Sequence, residues 1–180
     1  MATQEIKVTQ ARIAVIIGKG GATKRKIEKE TQTVISVDSE DGLVTIDGED
    51  APLVLKAADI ITAINRGFSP KRSFCLLEDE NMMLDIIDLT AACKNPKQME
   101  RVRGRIIGKA GKAREQIEDM TGAEISVLGK TVAIIGGIEQ VKTARHAIEM
   151  LIEGMPHESV FTYLDKKKKE AKANIFDYYY

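Results

Sequence analysis

A six-residue phrase occurs twice in this chain, Ile16-Ile17-Gly18-Lys19-Gly20-Gly21 and Ile106-Ile107-Gly108-Lys109-Ala110-Gly111, each running into a charged segment with helical spacing. Aligned on the first glycine, the copies stay 90 residues apart through Ile27 and Ile117, Thr31 and Thr121, and Ser36 and Ser126. Chance does not hold register over such a distance, so one topology must serve both copies. The offset then falls to 88, because Val132-Ala133-Ile134-Ile135-Gly136 answers Val44-Thr45-Ile46-Asp47-Gly48. A shorter loop in the second copy accounts for it, since loops tolerate length change. Gly67, Phe74 and Leu77 find counterparts in Gly154, Phe161 and Leu164, so the repeat includes a helix beyond its last core helix. Two copies of so long a unit specify two small domains, not a solenoid.

In the first copy, Ile6 and Val8 alternate with polar residues as a strand does, and a short apolar helix from Arg12 to Ile16 leads into the glycines. A helix is expected from about Ala22 to Thr31. Two strands follow, Thr33 to Val37 and Leu43 to Asp47, joined by the turn formers Asp38-Ser39-Glu40-Asp41-Gly42. Pro52 stands where a first helical turn tolerates it, and Leu53, Ala57, Ile60, Ile61 and Ile64 recur at helical spacing. The order is β-α-α-β-β-α. In the second copy, Leu84 to Leu89 supplies the opening strand, Met99 to Arg105 the helix before the loop, and Val141, Ala144, Ile148, Leu151 and Ile152 the buried face of the closing helix. Ile86 to Gly108 is 22 positions against 12 from Ile6 to Gly18, so this copy carries an insertion near Ala91 to Pro96. Ser69-Pro70 reads as an N-cap with Pro at the first helical position, opening a short helix through Leu77. Glu78-Asp79-Glu80-Asn81 ends that helix as a linker. The expected division is 1–67 for the first domain, 68–83 for a linker with a short helix, 84–154 for the second domain and 155–180 for a C-terminal helix and tail.

The chemistry resides in the glycine phrases. A helix N-terminus leaves backbone N–H groups unpaired and carries about half a positive charge, so it attracts phosphate. Gly18 and Gly21, like Gly108 and Gly111, take turn conformations closed to other residues and hold no side chain against a ligand. Lys19 and Lys109 project their charge at the same phosphates. A nucleotide-hydrolysing P-loop does not fit: in Gly104-Arg105-Ile106-Ile107-Gly108-Lys109 three residues separate the glycines where four are needed, and Ala110 stands where Ser or Thr would hold magnesium. Cys75 and Cys93 stand alone with only His146 and His157, which excludes zinc spacing, and no cofactor or metal is expected. Asp85 and Asp88 fall on opposite faces of a strand, which spoils a shared metal for a nuclease, so an enzyme is not expected. The 27 basic and 27 acidic residues give a net charge of zero, which leaves nucleic-acid binding to the placement of charge. No apolar run approaches the roughly 20 residues of a membrane span, and Met1 to Glu5 shows no signal pattern, so a cytoplasmic protein without membrane contact is expected.

The order of elements and the two Ile-Gly-x-x-Gly loops resemble the type I KH domain, an RNA-binding module. The resemblance implies an α+β fold of two tandem type I KH domains, each a three-stranded antiparallel sheet with helices packed on one face, plus an extra helix after each. It also implies that the Gly-x-x-Gly loop grips the backbone of about four nucleotides while bases lie in an adjoining apolar groove. By position, Ile17, Ile27 and Ile35, and Ile107, Ile117 and Ile125, build that groove and its core. The expected RNA contacts are Gly18, Lys19, Gly20, Gly21, Lys24 and Arg25 in the first copy. In the second they are Arg101, Arg103, Arg105, Ile107, Gly108, Lys109, Ala110, Gly111, Lys112, Arg114, Ile125 and Lys130. The first hairpin loop carries Asp38, Glu40 and Asp41, which repel phosphate, whereas the second is Leu128-Gly129-Lys130. The second copy is therefore expected to supply most of the affinity, and the first to add reach or a protein contact. With few exposed aromatics, aliphatic and backbone contacts should dominate base recognition.

More specific phrases follow in the second copy: Thr121-Gly122-Ala123-Glu124-Ile125-Ser126-Val127, Gly129-Lys130-Thr131-Val132-Ala133-Ile134-Ile135-Gly136, and Met150-Leu151-Ile152 leading to Gly154-Met155-Pro156-His157. With the two-domain layout they resemble the archaeal branch of the two-KH-domain small-subunit ribosome assembly factors, from about Ile6 to Lys169. That resemblance implies a non-enzymatic protein binding single-stranded RNA near the 3′ end of small-subunit rRNA. It names as partners the endonuclease that matures that end and the α subunit of a translation initiation factor. A general KH adaptor of mRNA or exosome type, and a scaffold that mainly binds protein, are the alternatives. Lys166 to Lys169 and the run Tyr178-Tyr179-Tyr180 form the tail, with no physical reason to choose between RNA and protein for the tyrosines.

Overall fold

β-Branched residues alternating with polar ones make strands of Ala2–Lys7 (β1), Thr33–Asp38 (β2) and Leu43–Gly48 (β3). They pair antiparallel in the order β1-β3-β2, with Ile6 opposite Val44 and Ile35 opposite Ile46. Along the central strand β3, Val44 and Ile46 are fully buried and Thr45 and Asp47 are not, so one face of the sheet carries the core. Helices Gln10–Ile17 (α1), Ala22–Thr31 (α2) and Ala51–Asn65 (α3) supply the rest of that core through Ile13, Ile16, Ile27, Ile60, Ile61 and Ile64. The computed structural model describes residues 1–179, which fall into two units that divide between Leu84 and Asp85. Tyr180, the end of the tyrosine run, lies outside the described residues.

The stretch after α3 is two short helices, Pro70–Ser73 (α4) and Cys75–Glu78 (α5), packed against α3. Ser69 caps α4, its hydroxyl accepting from the Arg72 N–H at 3.3 Å, and Phe68 and Leu76 are fully buried.

The second unit repeats the plan with Met83–Asp88 (β4), Glu124–Leu128 (β5) and Thr131–Gly136 (β6) in the order β4-β6-β5, and helices Pro96–Ile107 (α6), Lys112–Thr121 (α7) and Ile138–Ile152 (α8). Its insertion is loop only between a 3-10 turn and the start of the next helix. Leu89–Ala91 forms a 3-10 turn with Leu89 buried, and Asn95 accepts from the Gln98 N–H at 2.9 Å, starting α6 at Pro96 instead of the expected Met99. The N-cap and Pro at the first helical position overrode the polar composition of Pro96-Lys97-Gln98. As a result α6 has 12 residues and α1 has 8. The expected tail is instead one helix, His157–Tyr179 (α9), which docks on α7 and α8 through Val160 and Leu164. Ion pairs Lys169–Asp165 and Lys167–Glu170 support its exposed half.

In both units an arginine from the helix before the glycine loop ties down the end of the closing helix. Arg12 donates from Nε to the Ile64 carbonyl at 2.8 Å and from Nη2 to Phe68 at 3.0 Å. Arg105 donates from Nε to the Leu151 carbonyl at 3.3 Å and from Nη2 to the Met155 carbonyl, and His157 Nε2 lies 2.8 Å from the Arg105 carbonyl. Ile64 corresponds to Leu151 and Phe68 to Met155, but the two arginines stand one helical turn apart in the repeat. Each guanidinium adds charged donors at the helix end, where the Ile64 and Leu151 carbonyls also accept from the Gly67 and Gly154 N–H groups at 3.1 Å. Arg12→Met is expected to cost the first unit about 1.5–3 kcal/mol, the range for hydrogen bonds to a charged group, read as a lowered urea midpoint.

Candidate nucleic-acid interface

Each glycine phrase makes the corner between two helices. The first glycine leaves the helical region, Gly18 at φ 75° and Gly108 at φ 74°, and its α carbon is pressed by the next helix. A Cβ on Gly18 would lie 2.3 Å from Thr23 Oγ1, and one on Gly108 2.5 Å from Ala113 Cβ. The last glycine, Gly21 or Gly111, sits in the left-handed region as N-cap of α2 or α7, and neither N-cap has a side chain to bond the helix's first N–H groups. The first of those donors is taken by the loop itself, Ala22 donating to the Lys19 carbonyl and Lys112 to the Lys109 carbonyl, so the donors left without an intrahelical acceptor on these ten-residue helices are those of the residues that follow. Lys19, Gly20, Lys109 and Ala110 are exposed at the tips. Ala110 holds φ 55° without being glycine, a conformation costing on the order of 1–2 kcal/mol.

The hairpin loops sit at the other end of the first helix in each unit. In the first, Val8 donates to the Gly42 carbonyl at 2.7 Å and Gln10 Nε2 to Glu40 at 3.2 Å; in the second, Leu89 donates to Lys130 at 2.8 Å. The helix before the glycines thus spans from hairpin loop to Gly-x-x-Gly loop. The first hairpin loop presents Asp38, Glu40 and Asp41 there, the second Lys130.

Not all the expected contacts face that way. Arg101, Arg103 and Arg105 do not form one basic front, because residues two apart on a helix lie on different sides. Arg105 is committed to Leu151 and Met155, Arg101 is exposed, and Arg103 alone lies along the Met99 and Ile107 side. Arg114 and its counterpart Lys24 are ion-paired, with Glu118 at 2.6 Å and Glu28 at 3.0 Å. Arg25 folds back onto the Gly20 carbonyl at 2.6 Å. Lys26 stacks over the Phe74 ring at 4.3 Å. Ile125 is wholly buried, as are Ile27, Ile35 and Ile117 within 2%, so these side chains support the groove from beneath and touch no ligand. Ile17 and Ile107 are half-buried beside the loops and remain open to one. Lys19, Lys109, Lys112 and Lys130 are exposed and have no ion pair among the described residues.

One feature of the groove escaped the sequence reading. Glu28 Oε2 accepts from the Ile35 N–H and Glu118 Oε2 from the Ile125 N–H, both at 2.9 Å. Each glutamate covers an outward amide of the sheet's edge strand, β2 or β5. The signal was present as matched Lys24-to-Glu28 and Arg114-to-Glu118 spacing, but a carboxylate seven residues before a strand amide has no recognisable pattern. Asp85 pairs with Arg145 at 2.7 Å and Asp88 accepts from Thr90 N–H at 2.9 Å, so both are structural. No helix among the described residues is long and apolar enough to cross a membrane.

Comparison with known proteins agrees with this geometry. The model of the eukaryotic type KH-domain (KH-domain type I) matches residues 83–169, and the KH domain model matches residues 3–63. A KH domain-containing protein of Methanocaldococcus jannaschii is 42% identical over 176 residues, covering 96% of this chain and 77% of that protein. The RNA-binding protein PNO1 of Oryzias latipes is 32% identical over 114 residues, 63% of this chain and 47% of its own length, so the chain spans less than half of that relative. Among solved structures, the a/eIF2alpha-aDim2p-rRNA complex from Pyrococcus horikoshii OT3 includes a chain 50% identical with a TM-score of 0.88, covering 94% of this chain and 95% of that one.

The corner glycine and the loop tip should respond differently to substitution. Gly108→Ala is expected to destabilise the second unit by roughly 2–4 kcal/mol, left-handed strain added to the clash with Ala113. Ala110→Asp should stay within about 0.5 kcal/mol, because the site is exposed and Asp accepts positive φ. Urea denaturation of the two variants checks both.

Proposed function

The chain belongs to the two-KH-domain family that includes aDim2p and PNO1, and from that premise we propose that it binds single-stranded RNA near the 3′ end of small-subunit rRNA as a ribosome assembly factor. The observation that carries this reading is the second glycine loop: a helix N-terminus without a side-chain cap, an exposed Lys109 and Lys112 beside it, and the cationic Lys130 turn at the far end of the same groove. Phosphates are held by the α7 amides and Lys109, and bases lie over Ile107 above a floor propped by Ile117 and Ile125. Glu118 keeps the β5 edge amide occupied, which holds that groove wall in place. The aDim2p–rRNA complex, and the pre-rRNA-processing protein PNO1 of Debaryomyces hansenii, 30% identical over 107 residues (59% of this chain and 42% of that protein), support an rRNA target. In this reading the chain performs no catalysis and positions or restrains the nuclease that trims the rRNA.

The first unit has the same loop geometry but places Asp38, Glu40 and Asp41 at the far end of its groove. It contributes a weaker RNA contact, and its acidic loop suits a basic protein partner; the initiation factor α subunit in the aDim2p complex is the candidate.

Fluorescence anisotropy with a labelled small-subunit rRNA 3′-end oligomer tests this. Lys109→Asp with Ala110→Asp should weaken binding at least tenfold while circular dichroism stays native, and Lys19→Asp with Gly20→Asp should weaken it less. Four phosphate contacts give a log-log salt slope near −2.8, from about −0.7 per contact. Wild-type affinity for an unrelated oligomer equal to that for the rRNA would remove the rRNA assignment, and equal losses at the two loops would remove the asymmetry.

A further inference from the structure

The second unit carries an open pocket of about 690 Å³ at the hairpin end of its groove, absent from the sequence reading. Its floor is Met99 and the largely buried Cys93, and its rim carries Lys94, Arg103 and Lys130 with Glu100 as the one carboxylate. Met99, Arg103 and Ile107 succeed one another at four-residue steps on α6, so the pocket continues the apolar strip that begins at the glycine loop. The Arg103 Nε–H is buried and has no acceptor among the described residues. A guanidinium donor desolvated without an acceptor is costly, and an anionic oxygen seated in the pocket would relieve it.

The extra turn of α6 gives this feature its meaning. Four more residues than α1 lengthen the helix between hairpin loop and glycine loop by about 6 Å, at 1.5 Å per residue. That is close to one nucleotide of extended single strand. The first unit lacks the insertion and closes the same end of its groove with Gln10 bonded to acidic loop residue Glu40.

We infer that the second unit binds one nucleotide beyond those held at its Gly-x-x-Gly loop, with that nucleotide's phosphate on Arg103, Lys94 and Lys130 and its base against Met99 and Cys93. The insertion is thus a length-setting device: it makes the second groove longer than the first. This inference rests on the RNA reading above.

The test uses the full chain and a nested set of 3′-end small-subunit rRNA oligomers shortened one nucleotide at a time from either end. Wild type should show a step of about tenfold in affinity when the nucleotide over the pocket is lost, the size expected for one or two charge-assisted hydrogen bonds. Arg103→Met keeps the buried aliphatic stem, and Lys94→Ala with Lys130→Ala changes only exposed residues, so at least one variant remains folded. Both should abolish the step, so that the ratio of long to short affinities falls toward one. A step of unchanged size in the folded variants, or no step in wild type, overturns the inference. The Lys109→Asp, Ala110→Asp variant separates the two readings: loss of all binding there with an unaltered step in the pocket variants defeats the extended subsite alone, whereas undiminished binding there defeats the glycine-loop grip on which the proposed function rests.

Discussion

Thr23 and Ala113 press on the α carbons of Gly18 and Gly108 so closely that no side chain fits between the two helices of each corner. The rest of each unit depends on that approach. It sets the angle at which α2 leaves α1 and α7 leaves α6, and so brings Ile27 and Ile117 onto the sheet and Glu28 and Glu118 to the edge-strand amides. It also leaves the following helix with a glycine for an N-cap, so no capping side chain competes with an anion for the N–H groups beyond the one taken by the Lys19 or Lys109 carbonyl. Fold and ligand site share one cause, which makes the outer glycine of each loop primarily a packing residue and the two positions after it the ones free to serve binding.

Electrostatics then distinguishes two units that packing makes alike. Many of the cations near the glycine loops are committed within the protein: Arg12 and Arg105 to helix carbonyls, Lys24 and Arg114 to glutamates, Arg25 to the loop itself. What remains exposed is a small set of lysines, and the sign of the hairpin loop decides how they combine. In the first unit three carboxylates oppose Lys19; in the second Lys130 joins Lys109 and Lys112.

The element order, the spans of β2 and β3 to within one residue, and the extent of α2 down to its ends at Ala22 and Thr31 were legible because hydrophobic period and glycine punctuation are local signals, whereas β1 runs Ala2–Lys7, upstream of the expected Ile6-to-Val8 alternation. The insertion was visible as ten additional positions between Ile86 and Gly108, but its division into a 3-10 turn and a longer α6 was not. Polar Pro96-Lys97-Gln98 has no apolar period, and the helix start there comes from the Asn95 cap. The continuation of α9 to Tyr179 was equally hidden, since its second half buries nothing and rests on i,i+4 pairing and docking of its first half.

By itself the sequence determined that two copies of one α+β unit exist and that each bends a helix corner around glycines with lysine at the tip. Those facts depend on backbone conformation and on residues close in the chain. Only the tertiary structure decided which cations are free, that Ile125 lies beneath the groove and not in it, that Glu118 guards the β5 edge, and that Arg103 faces a pocket made by the insertion. The physical reason is that a charged side chain's role is set by whichever acceptor folding brings within hydrogen-bond reach, and those acceptors, such as the Leu151 carbonyl 46 residues from Arg105, are far away in the sequence.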